Sequence, residues 1–211
     1  MSIAVAKGVR VVVGATTVLD HTDLDVARGE IVALMGENGI GKSTLIRCLA
    51  GLQRTTEGVI LVFGAPPSGD AAFWRDVGLV TDDQAWYPWL TVREHLELIR
   101  KIHEPADDPR MEPDALLEAF GLLDRADAAP ATLSTGQRQR LSIASVLARP
   151  SRLLLLDEPE HGLDADFRER LAVMLGNYAS DGGTLIMATH DRELASATEA
   201  RVIALEAGTR A

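Results

Sequence analysis

The stretch that most restricts what this chain can fold into is "EIVALMGENGIGKST", residues 30–44. A continuous apolar run ends in glycine, passes through a Gly-rich turn and enters "KSTLIRCLAGL". This order predicts a buried strand feeding a helix that ends near Gly51. The turn fits G-x-x-x-x-G-K-[ST], with Gly36, Gly41, Lys42 and Ser43 at the fixed positions. Glu37, Asn38, Gly39 and Ile40 lie between the glycines, and Thr44 follows. Glycines let successive backbone N–H groups converge on phosphate oxygens where a Cβ would obstruct them. The helix start adds its partial positive charge. Lys42 supplies a point charge to the β- and γ-phosphates, and the Ser43 hydroxyl suits Mg²⁺. An ordinary tight turn also wants a glycine or two, but gives no reason for Lys-Ser. Chance produces the pattern in about one chain in a hundred.

Around this loop the pattern is α/β. Residues 3–13 ("IAVAKGVRVVV") and 57–63 ("EGVILVF") are β-branched runs bounded by glycine, which predicts strands. From Thr91 the period becomes helical. "TVREHLELIRKIH" opens with a Thr91/Glu94 capping box, "PDALLEAFGLL" follows, and "STGQRQRLSIASVLARP" is a third helix stopped by Pro150. "RLLLLDEP" and "GTLIMATH" predict short buried strands separated by the helix "ADFRERLAVMLGNYAS", and "ARVIALEAG" predicts a last strand. The expected organisation is one domain over 1–211. Its core covers about 1–82 and 152–211, and a helical part covers about 85–150. No extra regulatory domain is expected.

Three further constellations carry chemistry. Asp157 and Glu158 end a strand; with a phosphate loop upstream, Asp157 suits Mg²⁺ and Glu158 suits a general base for water. His190, after the next strand, stands where the γ-phosphate would be reached from the other side, although a lone strand-end histidine is more often structural. Ser134 and Gln137 form a Ser-x-x-Gln capping box beside Gly136. Such a helix start is also an anion site, and the residues alone leave both readings open.

Taken in order, these motifs resemble the nucleotide-binding subunit of an ABC (ATP-binding cassette) ATPase over nearly the whole chain. In that resemblance 36–44 is the Walker A loop, "LSTGQ" (133–137) the signature, 153–158 the Walker B strand with its glutamate, "HGLD" (161–164) the D-loop, and His190 the switch histidine. It implies a P-loop NTPase core of the ABC type with a small antiparallel β subdomain and a helical insert. The cofactors are ATP and Mg²⁺, with Ser43, Asp157 and Asp82 as metal-side residues. The resemblance also implies a head-to-tail dimer, homo- or heteromeric, in which Ser134, Gly136 and Gln137 of one subunit cover the ATP of the other. Three positions depart from the pattern. Thr135 replaces the first signature glycine, and tolerance is expected. Val13 stands where an aromatic ring usually stacks on adenine. Asp82 occupies the usual glutamine position, with Gln84 two residues on. An aspartate offers Mg²⁺ a hard oxygen, and equally places negative charge beside the γ-phosphate.

The chain has nine aromatic residues among Trp, Tyr and Phe, yet Trp86, Tyr87 and Trp89 fall within "QAWYPWL". In the resembled family this loop receives transmembrane permease subunits, a role that suits Trp and Tyr. The competing reading packs one or two of these rings inside the insert, Tyr87 foremost. Adjacent side chains of an extended loop point apart, so at least one of Trp86 and Trp89 is expected to be exposed. Charge narrows the partners further. With 21 Lys and Arg against 31 Asp and Glu, the net charge of −10 disfavours nucleic acid and anionic lipid surfaces. The only lysines are Lys7, Lys42 and Lys101. No apolar run approaches the roughly 20 residues that cross a bilayer. The N-terminus lacks a signal peptide pattern, so a cytoplasmic protein, peripheral on the membrane through a permease, is expected. Cys48, the single cysteine, is expected to be buried. The alternatives are a soluble ABC ATPase driving assembly or repair, and a weakly hydrolysing nucleotide-gated module.

Overall fold

Four consecutive leucines, Leu153 to Leu156, suit a strand covered on both faces, because alternate side chains of a strand point to opposite sides. The computed structural model, which describes residues 1–81, 85–103 and 112–205, has this arrangement. Strand β6 (Leu153–Asp157) lies second in a five-stranded sheet of order β5-β6-β7-β3-β8. The others are β5 (Val77–Val80), β7 (Thr184–Ala188), β3 (Ile31–Met35) and β8 (Arg201–Ala204), and every neighbouring pair is parallel. Leu154, Leu156, Leu185, Met187 and Ala33 enter one apolar cluster; Leu153, Leu155, Ile186, Val32 and Leu34 enter the other. The period-2 split follows the pleat.

The second cluster is closed by helix α1 (Lys42–Leu49) and by a three-stranded antiparallel sheet, order β2-β1-β4. Its strands are β1 (Ser2–Val13), β2 (Thr16–Ala27) and β4 (Glu57–Val62). β2 escapes a sequence reading because Thr17, Asp20, Thr22, Asp23 and Asp25 interrupt its apolar signal, although Leu19, Leu24 and Val26 are buried. Helix α2 (Ala71–Asp76), capped by Asp70, and the four-residue β5 were likewise too short to read.

The first cluster is closed by α3 (Val92–His103), α4 (Pro113–Ala119), α5 (Thr135–Leu147) and α6 (Ala165–Ser180). The Thr91/Glu94 capping box forms: the Thr91 amide donates to the Glu94 carboxylate at 2.7 Å, and the Glu94 amide to the Thr91 hydroxyl at 3.2 Å. α4 stops sooner than its apolar pattern suggests, because Gly121 turns left-handed (φ 62°) just after Phe120. A last short helix, α7 (Arg192–Ala197), follows β7. Cys48 is buried as expected, and burial pushes its thiol up to about 11. Asp82 and Gln84 lie outside the described residues. Among the described residues, no helix is long and apolar enough to cross a membrane.

Candidate nucleotide site

The turn from β3 into α1 is held open by close packing. Gly41, the residue before α1, has φ 109°, and a Cβ there would stand 2.5 Å from Leu19 Cδ2 and 2.8 Å from the Val18 carbonyl. Only glycine fits both the dihedral and the approach of β2. α1 has no acidic residue in its first turn, and glycine supplies no capping side chain. Its first amides therefore present a positive end to the space beside the loop. Lys42 is buried, and its Nζ donates to the carbonyls of Gly36 (2.9 Å) and Glu37 (3.0 Å). An ammonium has three donors, so the group that braces the loop retains one for an anion.

Beside the loop lies a cleft of about 140 Å³ lined by Val18, Asn38, Gly39, Gly41, Lys42, Ser43, Thr44 and Glu158. The end of β6 reaches it from two strand positions away, with β7 between β6 and β3. Ser43 Oγ donates to Asp157 Oδ1 at 2.8 Å, across 114 residues of sequence. A hydroxyl and a carboxylate meeting beside a phosphate loop are hard oxygen donors of the kind Mg²⁺ takes, with phosphates and water completing its shell. Glu158 has the left-handed φ of 46°, a conformation costing a non-glycine residue on the order of 1–3 kcal/mol. Its main chain is pinned: the amide donates to the Ala188 carbonyl at 2.8 Å, and its carbonyl accepts from Gln139 Nε2 at 3.2 Å. The turn directs its side chain to the cleft.

Gln139 and Val18 were missed by sequence reasoning. Gln139 is buried on α5 and also donates to the Pro159 carbonyl at 3.3 Å, tying this helix to the end of β6. Nothing in a helical polar residue marks such a role, and Val18 looks like any strand valine. The start of α5 is the capping box read from sequence. The Gln137 amide donates to Ser134 Oγ (3.2 Å), and Gln137 Oε1 accepts from the Ser134 amide (3.0 Å). The hydroxyl accepts in this box, so its own hydrogen remains to donate elsewhere.

Gly136 is required for a separate reason. A Cβ there would lie 2.3 Å from the Gly162 carbonyl, whereas exposed Thr135 fits beside it. Gly136→Ala is expected to cost about 1–3 kcal/mol by overpacking, read as a lowered urea midpoint; an unchanged midpoint contradicts the contact. The next helix is fixed nearby. Asp164 caps α6, and the Phe167 amide it accepts, helped by Arg140, holds its carboxyl below the usual range.

The structure thus gathers Asn38, Gly39, Gly41, Lys42, Ser43, Thr44, Asp157 and Glu158. Gly36 and Glu37 share a second cavity wall with His190, whose side chain is exposed. Ile40 packs partly into the core. Ser134, Gly136 and Gln137 do not line the Lys42 cleft, and Val13 ends β1 exposed.

The aromatic loop is organised by His95. Its buried ring accepts from the Tyr87 amide at Nε2 (3.0 Å) and lies 2.8 Å from the Thr91 carbonyl at Nδ1. One acceptor and one donor define the neutral Nδ1–H form. Trp86 stands edge-on to His95 and packs partly into the core, while Tyr87 stacks with the same ring. Trp89 is 75% exposed and Tyr87 54%, so the inward ring is Trp86, and the expected exposure falls on Trp89. Tyr87 and Trp89, with Leu90, Glu94, Glu97, Leu98 and Lys101, line a groove of about 460 Å³.

Comparison with known proteins gives a family model described as ABC transporter, matching residues 19–161. The chain is 36% identical over 191 residues to the SkfA peptide export ATP-binding protein SkfE of Bacillus subtilis, covering 90% of this chain and 80% of that protein. It is 39% identical over 207 residues to the Fe(3+) ions import ATP-binding protein FbpC of Streptomyces avermitilis, covering 96% of this chain but 59% of that one. Among solved structures, an ATP-binding subunit of an ABC transporter superposes with a TM-score of 0.84 at 28% identity, covering 96% of this chain and 85% of that chain. A dimeric bacterial ABC transporter cassette does so with a TM-score of 0.80 at 28% identity, covering 96% and 94%.

Proposed function

The chain belongs to the ABC transporter ATP-binding protein family, and on that footing we propose how its residues carry out the ATPase function of such a subunit. The observation that carries the reading is the meeting of Lys42, Ser43, Asp157 and Glu158 at one cleft. The Gly36–Thr44 loop and the start of α1 hold the phosphates, with Lys42 turning a donor outward. Ser43 and Asp157 hold Mg²⁺, which when bound neutralises phosphate charge. Glu158, fixed by its pinned main chain, accepts a proton from the attacking water. His190 contacts the γ-phosphate from the far side. Val13 offers adenine an apolar edge without a ring.

ABC cassettes dimerise and associate with transmembrane subunits. In this chain the pairing is head to tail, homo- or heteromeric. The start of α5, with Ser134, Gly136 and Gln137, covers the nucleotide of the partner. This explains an anion-binding helix start placed away from the cleft of its own chain. The groove at Tyr87 and Trp89 receives a transmembrane permease subunit and keeps the protein on the cytoplasmic face of the membrane. An exposed aromatic pair on a loop braced by His95 suits docking, since rigid rings lose little entropy.

Trp89→Ala is expected to leave basal ATP turnover within about twofold and weaken assembly with the permease by about thirtyfold or more, as a hot-spot truncation of 2 kcal/mol or more does. Trp86→Ala instead is expected to lower thermal stability. Co-purification and melting curves separate the two. Normal assembly and transport by Trp89→Ala would remove the docking role.

A further inference from the structure

Glu160 is a buried charged residue that the proposed chemistry does not use, and its surroundings are unusual. It follows β6 by three residues, and its side chain is only 4% exposed. Because β6 and β7 are parallel neighbours with Asp157 opposite Ala188, the turns that follow them lie side by side. Glu160 Oε1 accepts from Thr189 Oγ1 at 2.5 Å and from the His190 amide at 3.1 Å, and stands 3.3 Å from His190 Nδ1. Thr189 Oγ1 in turn accepts from the Asp191 amide at 2.9 Å. The other oxygen, Oε2, is buried with no hydrogen-bond partner. A half-satisfied buried carboxylate costs stability, so packing gives no reason for one here. What it gains is control of the turn that carries His190.

We infer that Glu160 is a positioning residue that holds the His190 imidazole with Nδ1–H turned inward to its carboxylate and Nε2 turned out toward the phosphate loop. The nitrogen that carries the proton is set by the hydrogen bond made by the other face of the ring, as in carboxylate–histidine pairs elsewhere. His190 shares a cavity wall with Gly36 and Glu37 of the phosphate loop, and that is the side to which the inference turns Nε2. The other charged groups there are Glu37 from the loop, and Arg192 and Glu199 from α7 and its end. Asp191 is drawn away by Arg168 at 2.8 Å. Among the described residues, Glu160 is therefore the carboxylate within 4.0 Å of His190 Nδ1. A shorter side chain at 160 cannot reach that face.

The inference rests on the proposed contact of His190 with the γ-phosphate, and the test separates the two. Phosphate release with MgATP is measured for the full chain, for Glu160→Thr, Glu160→Gln and His190→Ala, and for Glu160→Thr combined with His190→Ala. Glu160→Thr is expected to lower kcat about tenfold with KM nearly unchanged. Glu160→Gln keeps an acceptor oxygen and is expected to recover kcat to within about threefold. On the His190→Ala background, Glu160→Thr is expected to add nothing. Normal turnover in His190→Ala would remove the histidine contact and Glu160 with it. A slow His190→Ala beside a normal Glu160→Thr, or equal losses on both backgrounds, would overturn the Glu160 inference alone. Long-range ¹⁵N–¹H spectra of the unaltered protein give an answer that needs no variant. Neutral His190 is expected as the Nδ1–H form, and the Nε2–H form would overturn the inference.

Discussion

Glu158→Gln is expected to lower ATP turnover by about 10²–10⁴-fold while leaving ATP binding in place, the range by which a general base ordinarily accelerates a reaction. The amide is nearly the size and shape of the carboxylate but cannot take a proton from water. Everything that fixes the residue is main chain: its N–H to Ala188, its carbonyl to Gln139 and its left-handed φ. The variant therefore keeps the turn, and the phosphate-holding groups around Lys42 are untouched. Because the nucleotide stays unhydrolysed, ATP-bound dimers should accumulate, visible by gel filtration with ATP and absent with ADP. Undiminished phosphate release would show that another group is the base.

Lys42→Ala should fail one step earlier. A charge-assisted contact is worth about 1.5–3 kcal/mol, so its loss should weaken nucleotide binding about 10–150-fold and remove turnover with it. The same substitution deletes the two hydrogen bonds that Nζ makes to the Gly36 and Glu37 carbonyls, so the loop loses its brace as well as its charge. Titration calorimetry with ATP reads the effect directly. Affinity equal to that of the parent would mean that the ammonium serves only the loop. The two substitutions are distinguishable: one traps ATP, and the other does not hold it.

The parts legible in the sequence were those where chemistry asks for rare residues at fixed spacing. Gly41, Lys42 and Ser43 had no good structural alternative, and the fold brings them to one cleft with Asn38, Thr44 and Glu158. The leucines of β6 were legible because a strand apolar at every position must be covered twice. The capping boxes at Thr91 and Ser134 were local and formed as read. Groups whose role depends on what lies opposite in space were hidden. Glu160 is two residues past Glu158, and no local pattern says that it is buried or that its partners sit 29 and 30 residues away. Gln139 looked like an exposed polar residue of a helix and is instead the clamp on the Glu158 carbonyl. Gly136 was chosen as an anion-site glycine, but the reason visible in the fold is the Gly162 carbonyl against it. The aromatic cluster was half legible. Steric alternation predicted that rings would diverge, but not that His95 would sort Trp86 inward and Trp89 outward.

The central claim is that a complete hydrolytic site needs two chains, the phosphate loop of one and the α5 start of the other. It is tested most directly by steady-state phosphate release with saturating MgATP as a function of protein concentration. Dilution takes the dimer apart, so turnover per chain should climb with concentration and level off once pairing is complete. A rate per chain that stays constant across the dilution series, from the lowest measurable protein concentration upward, would place the whole site within one subunit and contradict the account.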